Sequence, residues 1–219
     1  MKILVTGGMG AIGSNLSAKL INQGNKVYIL DNMDSAYSEN LEKSTNLHII
    51  KGDICDENIL DNSFSKGFDQ VYHVAANFAN QSSIDNPIKD LNTNGIGALK
   101  IFEYSKKYNV KKVLYTSTSC VYKASNDPYT ESFALELTTP YSISKLLAEQ
   151  YLAFYHSFHK LPSIVVRFFN NYGPGEYPGR YRSVIPNFFW NALNGLPLKI
   201  YGSGEETRSF TYVSDTVDG

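Results

Sequence analysis

The stretch that decides the fold of this 219-residue chain is Lys2-Ile3-Leu4-Val5-Thr6-Gly7-Gly8-Met9-Gly10-Ala11-Ile12-Gly13. An apolar run typical of a β-strand comes first, the glycine-rich segment follows it, and residues 14–23 then have a helical pattern. Glycines let the backbone turn tightly and approach a pyrophosphate, and the N–H groups at the start of the helix attract its negative charge. This order predicts a dinucleotide site whose contacts lie at Gly7, Gly10, Ala11, Ile12 and Gly13.

Asp31 indicates which dinucleotide is bound. It ends a second apolar run at residues 26–30, close to the offset of roughly 20 residues expected for a ribose-binding acid. Its carboxylate accepts hydrogen bonds from the ribose hydroxyls of NAD but repels the 2′-phosphate of NADP, and Asn32, Met33 and Asp34 supply no cation. The sequence therefore predicts NAD, with Asp31 and Asn32 in the site. The alternative is that Asp31 serves only as a helix cap or turn residue.

The composition excludes several classes of protein. The chain is 42% hydrophobic with a formal net charge of −1, so bulk charge attracts neither nucleic acid nor an anionic membrane. No apolar run approaches the roughly 18 residues needed to span a bilayer. Two cysteines and four histidines show no metal-ligand spacing, and no metal site is predicted. These features predict a cytoplasmic globular protein that binds neither nucleic acid nor membrane.

Strands and helices alternate along the chain, which predicts a doubly wound α/β fold of the Rossmann type with a parallel sheet. From about residue 170 the composition changes to glycine, proline, tyrosine, asparagine and arginine. We therefore predict a dinucleotide-binding domain over residues 1–169 and an incomplete, partial C-terminal substrate domain over residues 170–219. The predicted strands lie near residues 2–6, 26–30, 47–51, 69–75, 112–116 and 163–168.

A hydroxyl-rich strand end and a tyrosine–lysine pair are the candidate catalytic groups. Ser117 and Thr118 end the fifth strand, where ligands bind in open α/β sheets. Tyr141 and Lys145 are four residues apart on one helix face, where an ammonium group can lower the pKa of the phenol and make it a general base. Tyr108 and Lys112 have the same spacing, but the helix of Tyr108 is predicted to finish before Lys112.

With these motifs the chain resembles the extended short-chain dehydrogenases/reductases of the nucleotide-sugar epimerase/dehydratase family along its whole length. The matches outside the segments already described are Gly52-Asp53-Ile54, His73-Val74-Ala75-Ala76, Asn94-Gly95-Ile96-Gly97, residues 167–175 and residues 201–215. The resemblance implies an NAD-dependent enzyme acting on a nucleotide sugar. It also implies that the family continues past residue 219, and that helices near residues 87–108 and 141–158 form a homodimer interface.

The resemblance assigns further roles to single residues. Thr118 hydrogen-bonds the reacting sugar hydroxyl, Tyr141 is the base, and Lys145 holds the nicotinamide ribose. Asn170 and Arg208 bind the diphosphate of the substrate, although Asn170 could instead cap a loop and Arg208 could be a solvated charge. The remaining cofactor contacts that it implies are Asp53, Ile54, Ala75, Ala76, Asn94 and Ser117.

The residues after Thr118 bear on the reaction. Related 4,6-dehydratases have Asp and Glu there and glucuronate decarboxylases have Glu at the second position, whereas this chain has Ser119 and Cys120. This favours epimerisation at C4 of a UDP-hexose, with a nucleotide-sugar dehydratase or decarboxylase as an alternative. Cys120 leaves open a 3,5-epimerase of the GDP-mannose type, in which a cysteine acts as acid or base. An NAD-binding protein without turnover is the alternative from another class.

Overall fold

The computed structural model describes residues 1–35 and 40–219. Its main sheet has six parallel strands in the order β3-β2-β1-β4-β5-β6. The chain builds one half of the sheet outward from β1 and then returns to build the other half, which is the doubly wound arrangement that the sequence predicted. The strands are β1 (Lys2–Thr6), β2 (Lys26–Asp31), β3 (Leu47–Lys51), β4 (Gln70–His73), β5 (Lys112–Thr118) and β6 (Ser163–Phe168).

Helices follow the strands and cover the sheet. The longest, α6, begins at a capping box in which Thr139 and Ser142 exchange side-chain and backbone hydrogen bonds, and it ends at Lys160, which has φ +58°. A π-helical turn, Leu91–Gly97, joins α4 to α5. The helices of this part are α1 (Ala11–Asn22), α2 (Glu57–Phe64), α3 (Asn80–Asp85), α4 (Pro87–Asp90), α5 (Ala98–Lys107) and α6 (Pro140–His159).

The core has two layers because side chains alternate between the faces of a strand. Ile3 and Val5 of β1 are fully buried on one face with α1, while Leu4 between them is fully buried on the other with Phe64 of α2. Such strands, apolar at successive positions, are typical of a parallel sheet covered on both sides.

The fold also separates the two tyrosine–lysine pairs. Helix α5 ends at Lys107 with Tyr108 as its C-cap, and Lys112 is the first residue of β5. Tyr108 and Lys112 therefore share no helix face, as predicted. Tyr141 and Lys145 both lie on α6.

The segment after β6 forms separate, smaller elements. Strands β7 (Asn170–Tyr172) and β8 (Phe210–Tyr212) pair in parallel, with α7 (Val184–Leu193) between them in the chain and α8 (Val213–Asp218) after them. Helix α8 contacts α1. The domain boundary predicted at residues 169 and 170 falls between β6 and β7, and the division stays a prediction. Within the described ranges, no helix combines the length and apolarity needed to cross a membrane.

Candidate functional site

The glycine-rich loop owes its shape to close backbone approaches. Gly7 has φ +68°, and a Cβ on it would lie 2.6 Å from the backbone of Ala75 at the end of β4. A Cβ on Gly13 would overlap the carbonyl oxygen of Gly7. Gly10 is different, because among residues 1–35 and 40–219 a Cβ there would meet only the carbonyl oxygen of Gly7, at 3.5 Å. Protein packing thus explains Gly7 and Gly13, whereas Gly10 leaves its side of the loop open to a ligand.

The start of α1 suits an anion. Gly10 is the N-cap, no side chain of the described residues caps the helix, and its first turn contains no acidic residue. The N–H groups at Ala11 and Ile12 therefore carry the positive end of the helix dipole without a side-chain acceptor at the cap. Together with the open side at Gly10, this fits the pyrophosphate of a dinucleotide.

Asp31 links the glycine loop to the end of β2. Its carboxylate is buried, and it accepts hydrogen bonds from the backbone N–H of Met9 at 3.0 Å and of Met33 at 2.8 Å. The alternative that Asp31 is a turn residue is therefore correct in part, because its carboxylate binds the backbone of the turn that follows β2. A carboxylate has about four lone-pair directions, so the two remaining ones suffice for ribose hydroxyls.

A cleft next to Asp31 contains two other predicted cofactor residues. Asn32 donates to the Asp53 carboxylate at 3.3 Å, and both line the cleft together with Cys55 and Lys89. The side chain of Ile54 is buried in the core, so any contact that Ile54 makes with an adenine ring has to come from its main chain.

The loop after β4 is held by hydrogen bonds that the sequence did not reveal. Ala75 N–H donates to Thr6 Oγ1 at 3.3 Å, and Ala76 is exposed. Asn94, a predicted cofactor residue, donates to Asn77 O at 3.0 Å and to Asp90 Oδ2 at 2.8 Å, and it accepts from Asn77 N–H at 2.8 Å. Both carboxamide donors of Asn94 are thus engaged in positioning the loop, which leaves one lone pair of Oδ1 for any ligand.

The candidate catalytic hydroxyls meet where β5 ends and α6 begins. Thr118 Oγ1 accepts from Cys120 N–H at 3.2 Å, and its hydroxyl group acts to lower the pKa of the Tyr141 phenol. Tyr141 N–H donates to Ser83 Oγ of α3 at 3.1 Å, which fixes the helix start. Ser117 Oγ is buried and has no hydrogen-bond partner among the described residues. An unpaired buried hydroxyl at a strand end fits the cofactor contact predicted for Ser117.

The pKa of Tyr141 differs from the sequence-based expectation. Burial raises the pKa of Tyr141, and Cys120 and Asp90 raise it further, while the hydrogen bond with Thr118 lowers it. The expected lowering of the Tyr141 pKa by Lys145 is wrong for this structure, because the desolvation of the phenol dominates. Tyr141 carries its proton here at neutral pH.

Lys145 is itself buried. Burial lowers the pKa of Lys145 to about 7, although Asp90 and Glu149 act to raise it. Its Nζ lies 4.5 Å from the ring centroid of Tyr115. A lysine with this pKa gains or loses its proton near neutral pH, so its charge can change when a charged ligand binds nearby.

Lys145 is surrounded by charged residues that no sequence motif indicated. Asp90 is fully buried and accepts from Ser144 Oγ at 2.6 Å. Glu149 accepts from Arg167 of β6 through both carboxylate oxygens, at 3.0 and 2.6 Å, and the Arg167 guanidinium lies 4.8 Å from the ring centroid of Tyr122. The available signal was the position of Glu149, one helical turn after Lys145.

Asn170 and Arg208, the two residues predicted to bind the diphosphate, lie near one another but take no part in the hydrogen bonds around Tyr141 and Lys145. Asn170 pairs with Phe210 in the β7–β8 sheet, and its Nδ2 donates to Ser209 O at 3.0 Å. Arg208 precedes β8 by two residues, is exposed, and donates to Thr207 O at 2.7 Å. The pairing of β7 with β8 therefore places both near one sheet end, and their contact with a substrate stays a prediction.

Fold and site together define a dinucleotide-binding α/β protein with a hydroxyl pair beside the cofactor cradle. The sequence model of the "NAD dependent epimerase/dehydratase family" matches residues 3–219. The chain belongs to this family, whose cofactor is NAD. The resemblance, the fold class and the cofactor predicted from the sequence are thereby confirmed.

Individual relatives differ in the reaction named for them. The UDP-N-acetyl-alpha-D-glucosaminuronate decarboxylase of Bacillus cytotoxicus is 37% identical over 99% of this chain and 69% of its own length. An epimerase from Methanothermobacter thermautotrophicus has a structure with TM-score 0.95 and 46% identity, covering 99% of this chain and 65% of its own. The UDP-glucose 4-epimerase of Thermotoga maritima, solved with UDP-glucose, has TM-score 0.95 and 36% identity, covering 100% of this chain and 71% of its own. The chain thus spans about two thirds to seven tenths of these relatives.

Proposed function

We propose that this protein is an NAD-dependent epimerase that inverts C4 of a UDP-linked hexose. The observation that carries the proposal is the hydroxyl pair of Thr118 and Tyr141 at the end of β5, followed by Ser119 and Cys120 in place of carboxylates. A 4,6-dehydratase or a glucuronate decarboxylase would need an acid at one or both of those positions for its additional proton transfers.

The cradle residues are assigned to the cofactor. Gly7, Gly10 and the start of α1 would bind the pyrophosphate, Asp31 the adenosine ribose, and Ser117 and Lys145 the nicotinamide end. When bound, NAD supplies the hydride acceptor, a positively charged nicotinamide ring, and the return of hydride to the opposite face of the sugar.

Tyr141 and Thr118 handle the proton. In its phenolate form Tyr141 takes the proton of the C4 hydroxyl while C4 loses its hydride to the acceptor and becomes a ketone, and the resulting phenol gives the proton back when the hydride returns to C4, so atoms and charge balance over the cycle. Thr118 Oγ1 hydrogen-bonds the same hydroxyl and orients it. Because burial raises the pKa of Tyr141, a positive charge close to the phenol is required for this step. Lys145, one helical turn away, is the residue of this chain placed to contribute it.

The substrate and the assembly are assigned from the family resemblance. Asn170 and Arg208 would hold the diphosphate, and the protein would act as a homodimer. The apolar stripe on α6 supports the dimer: Tyr151, Phe154 and Phe158 are 39%, 48% and 72% exposed. These side chains are therefore not covered by the core of a single chain.

Cys120 keeps a second epimerase reaction open. Its backbone N–H donates to Thr118 Oγ1 at 3.2 Å, so the thiol belongs to the same segment as the catalytic hydroxyl, where a group that exchanges carbon-bound protons would have to be. This supports the 3,5-epimerase alternative. The non-catalytic NAD-binding protein is the remaining one.

Heavy water separates these possibilities. The NAD-loaded protein is incubated with UDP-glucose in heavy water, and the product is identified by NMR. C4 epimerisation should give UDP-galactose without deuterium on carbon, Tyr141→Phe should lower the rate by about 10²- to 10⁴-fold, and Cys120→Ser should leave it nearly unchanged. Deuterium at C3 or C5, together with inactive Cys120→Ser, would establish the other epimerase reaction. Full activity of Tyr141→Phe would refute the proposed mechanism.

A further inference from the structure

Asn80, the first residue of α3, is held beside the catalytic hydroxyls by two different elements. Its Oδ1 accepts from Thr139 Oγ1, the N-cap of α6, at 3.1 Å. Its Nδ2 donates to Cys120 Sγ at 3.6 Å. Neither the mechanism nor the cofactor site described above uses this carboxamide.

The position of Asn80 relative to Tyr141 is fixed by short connections. Thr139 precedes Tyr141 by two residues, and Ser83 of the same helix α3 accepts the Tyr141 N–H at 3.1 Å. On the other side, Cys120 N–H donates to Thr118 Oγ1 at 3.2 Å. Cys120 and Thr139 thus tie the Asn80 carboxamide to the two segments that carry Thr118 and Tyr141.

Asn80 retains hydrogen-bonding capacity toward a bound sugar ring. A carboxamide has two N–H donors and an oxygen with two lone pairs, and the hydrogen bonds of the described residues use one donor and one lone pair. The side chain is exposed. One donor and one acceptor therefore remain for a hydroxyl group, which needs both.

In the described part of the chain, the side chains that hydrogen-bond the Asn80 carboxamide are uncharged. Asn80, Cys120 and Thr139 carry a carboxamide, a thiol and a hydroxyl group. Arg180 reaches α3 but is paired with Asp85 at 3.2 Å. A uronate carboxylate beside Asn80 would gain no ion pair from these side chains, whereas a hydroxyl group needs none.

We infer that Asn80 is a specificity-determining residue of the sugar site, which selects nucleotide hexoses with hydroxyl or hydroxymethyl groups over nucleotide uronates. The inference rests on the proposed function for the location of the sugar. It predicts that the protein acts on a neutral sugar, although the Bacillus cytotoxicus relative is named for a uronate substrate.

Binding to the NAD-loaded protein tests this directly. Dissociation constants are measured by calorimetry for UDP, UDP-glucose and UDP-glucuronate. The wild-type protein should bind UDP-glucose about tenfold or more tightly than UDP-glucuronate. Asn80→Ala should weaken the binding of UDP-glucose about threefold to tenfold, as expected for one lost hydrogen bond, and leave the binding of UDP unchanged. Asn80→Ser should recover part of the loss.

Gln81→Ala is the matched control, since the neighbouring Gln81 carboxamide binds Asp85 at 2.9 Å instead of Cys120. It should bind all three ligands like the wild type. If Asn80→Ala weakened the binding of UDP and UDP-glucose equally, or weakened the binding of neither, the inference would be overturned while the proposed function stood. Failure of the wild-type protein to bind any of the three would overturn both.

Discussion

A methyl group at Gly10 should weaken the binding of NAD strongly without unfolding the protein. Gly10 has φ −76°, which alanine adopts freely, and its added Cβ would meet the carbonyl oxygen of Gly7 at 3.5 Å, an ordinary contact. Gly10→Ala therefore changes only the N-cap, at a cost of about 1 kcal/mol or less in the free energy of unfolding.

The loss of NAD affinity should be much larger. The methyl group would point to the open side of the loop and keep the pyrophosphate away from the N–H groups at the start of α1. Two charge-assisted hydrogen bonds of about 1.5 kcal/mol each amount to about 3 kcal/mol, or roughly two orders of magnitude in the dissociation constant.

Gly13→Ala provides the contrast. Its Cβ would overlap the Gly7 carbonyl oxygen and lie 2.8 Å from Gly8 Cα, so the loop backbone itself would have to shift. Such overpacking costs about 3 kcal/mol of stability. Urea unfolding of nucleotide-free protein measures stability, and calorimetric titration with NAD measures affinity. If Gly10→Ala bound NAD as tightly as the wild type, the assignment of this loop to the pyrophosphate would be refuted.

Three further predictions concern cofactor choice, pH and assembly. Asp31→Ala should narrow the preference for NAD over NADP in calorimetric titrations, and tighter NADP binding by the native chain would contradict the role of Asp31. Because the pKa of Lys145 is lowered from 10.5 to about 7 by burial, the unfolded chain binds more protons between these pH values. The free energy of unfolding should therefore rise with pH across that window. Urea titrations at pH 7 to 9 measure this rise, and Lys145→Met should remove roughly a few kcal/mol of it. If the free energy of unfolding of Lys145→Met rose with pH as steeply as that of the wild type, the lowered pKa of Lys145 would be excluded. Light scattering at micromolar concentration should show a dimer for the native protein and a monomer for Phe154→Glu, whereas a native monomer would contradict the interface on α6.

The sequence by itself determined the local features of the fold. The order of apolar run, glycine loop and helical pattern in residues 2–23 depends on backbone freedom and side-chain period, which are properties of neighbouring residues. The same holds for Asp31 at the end of β2, and for Tyr141 and Lys145 on one helix face. The motifs at seven places along the chain were specific enough to identify the family, and the family identified the cofactor.

Tertiary structure alone decided the electrostatics and the surroundings of the site. The direction of the Tyr141 pKa was wrong in the sequence argument because desolvation depends on what packs around a group, not on its spacing from a lysine. Asn80, Cys120 and Thr139 come from three separate segments, and no periodic pattern connects them. Their contact exists because the loop after β4, the end of β5 and the start of α6 all reach the same edge of the parallel sheet, where the carboxyl ends of the strands lie.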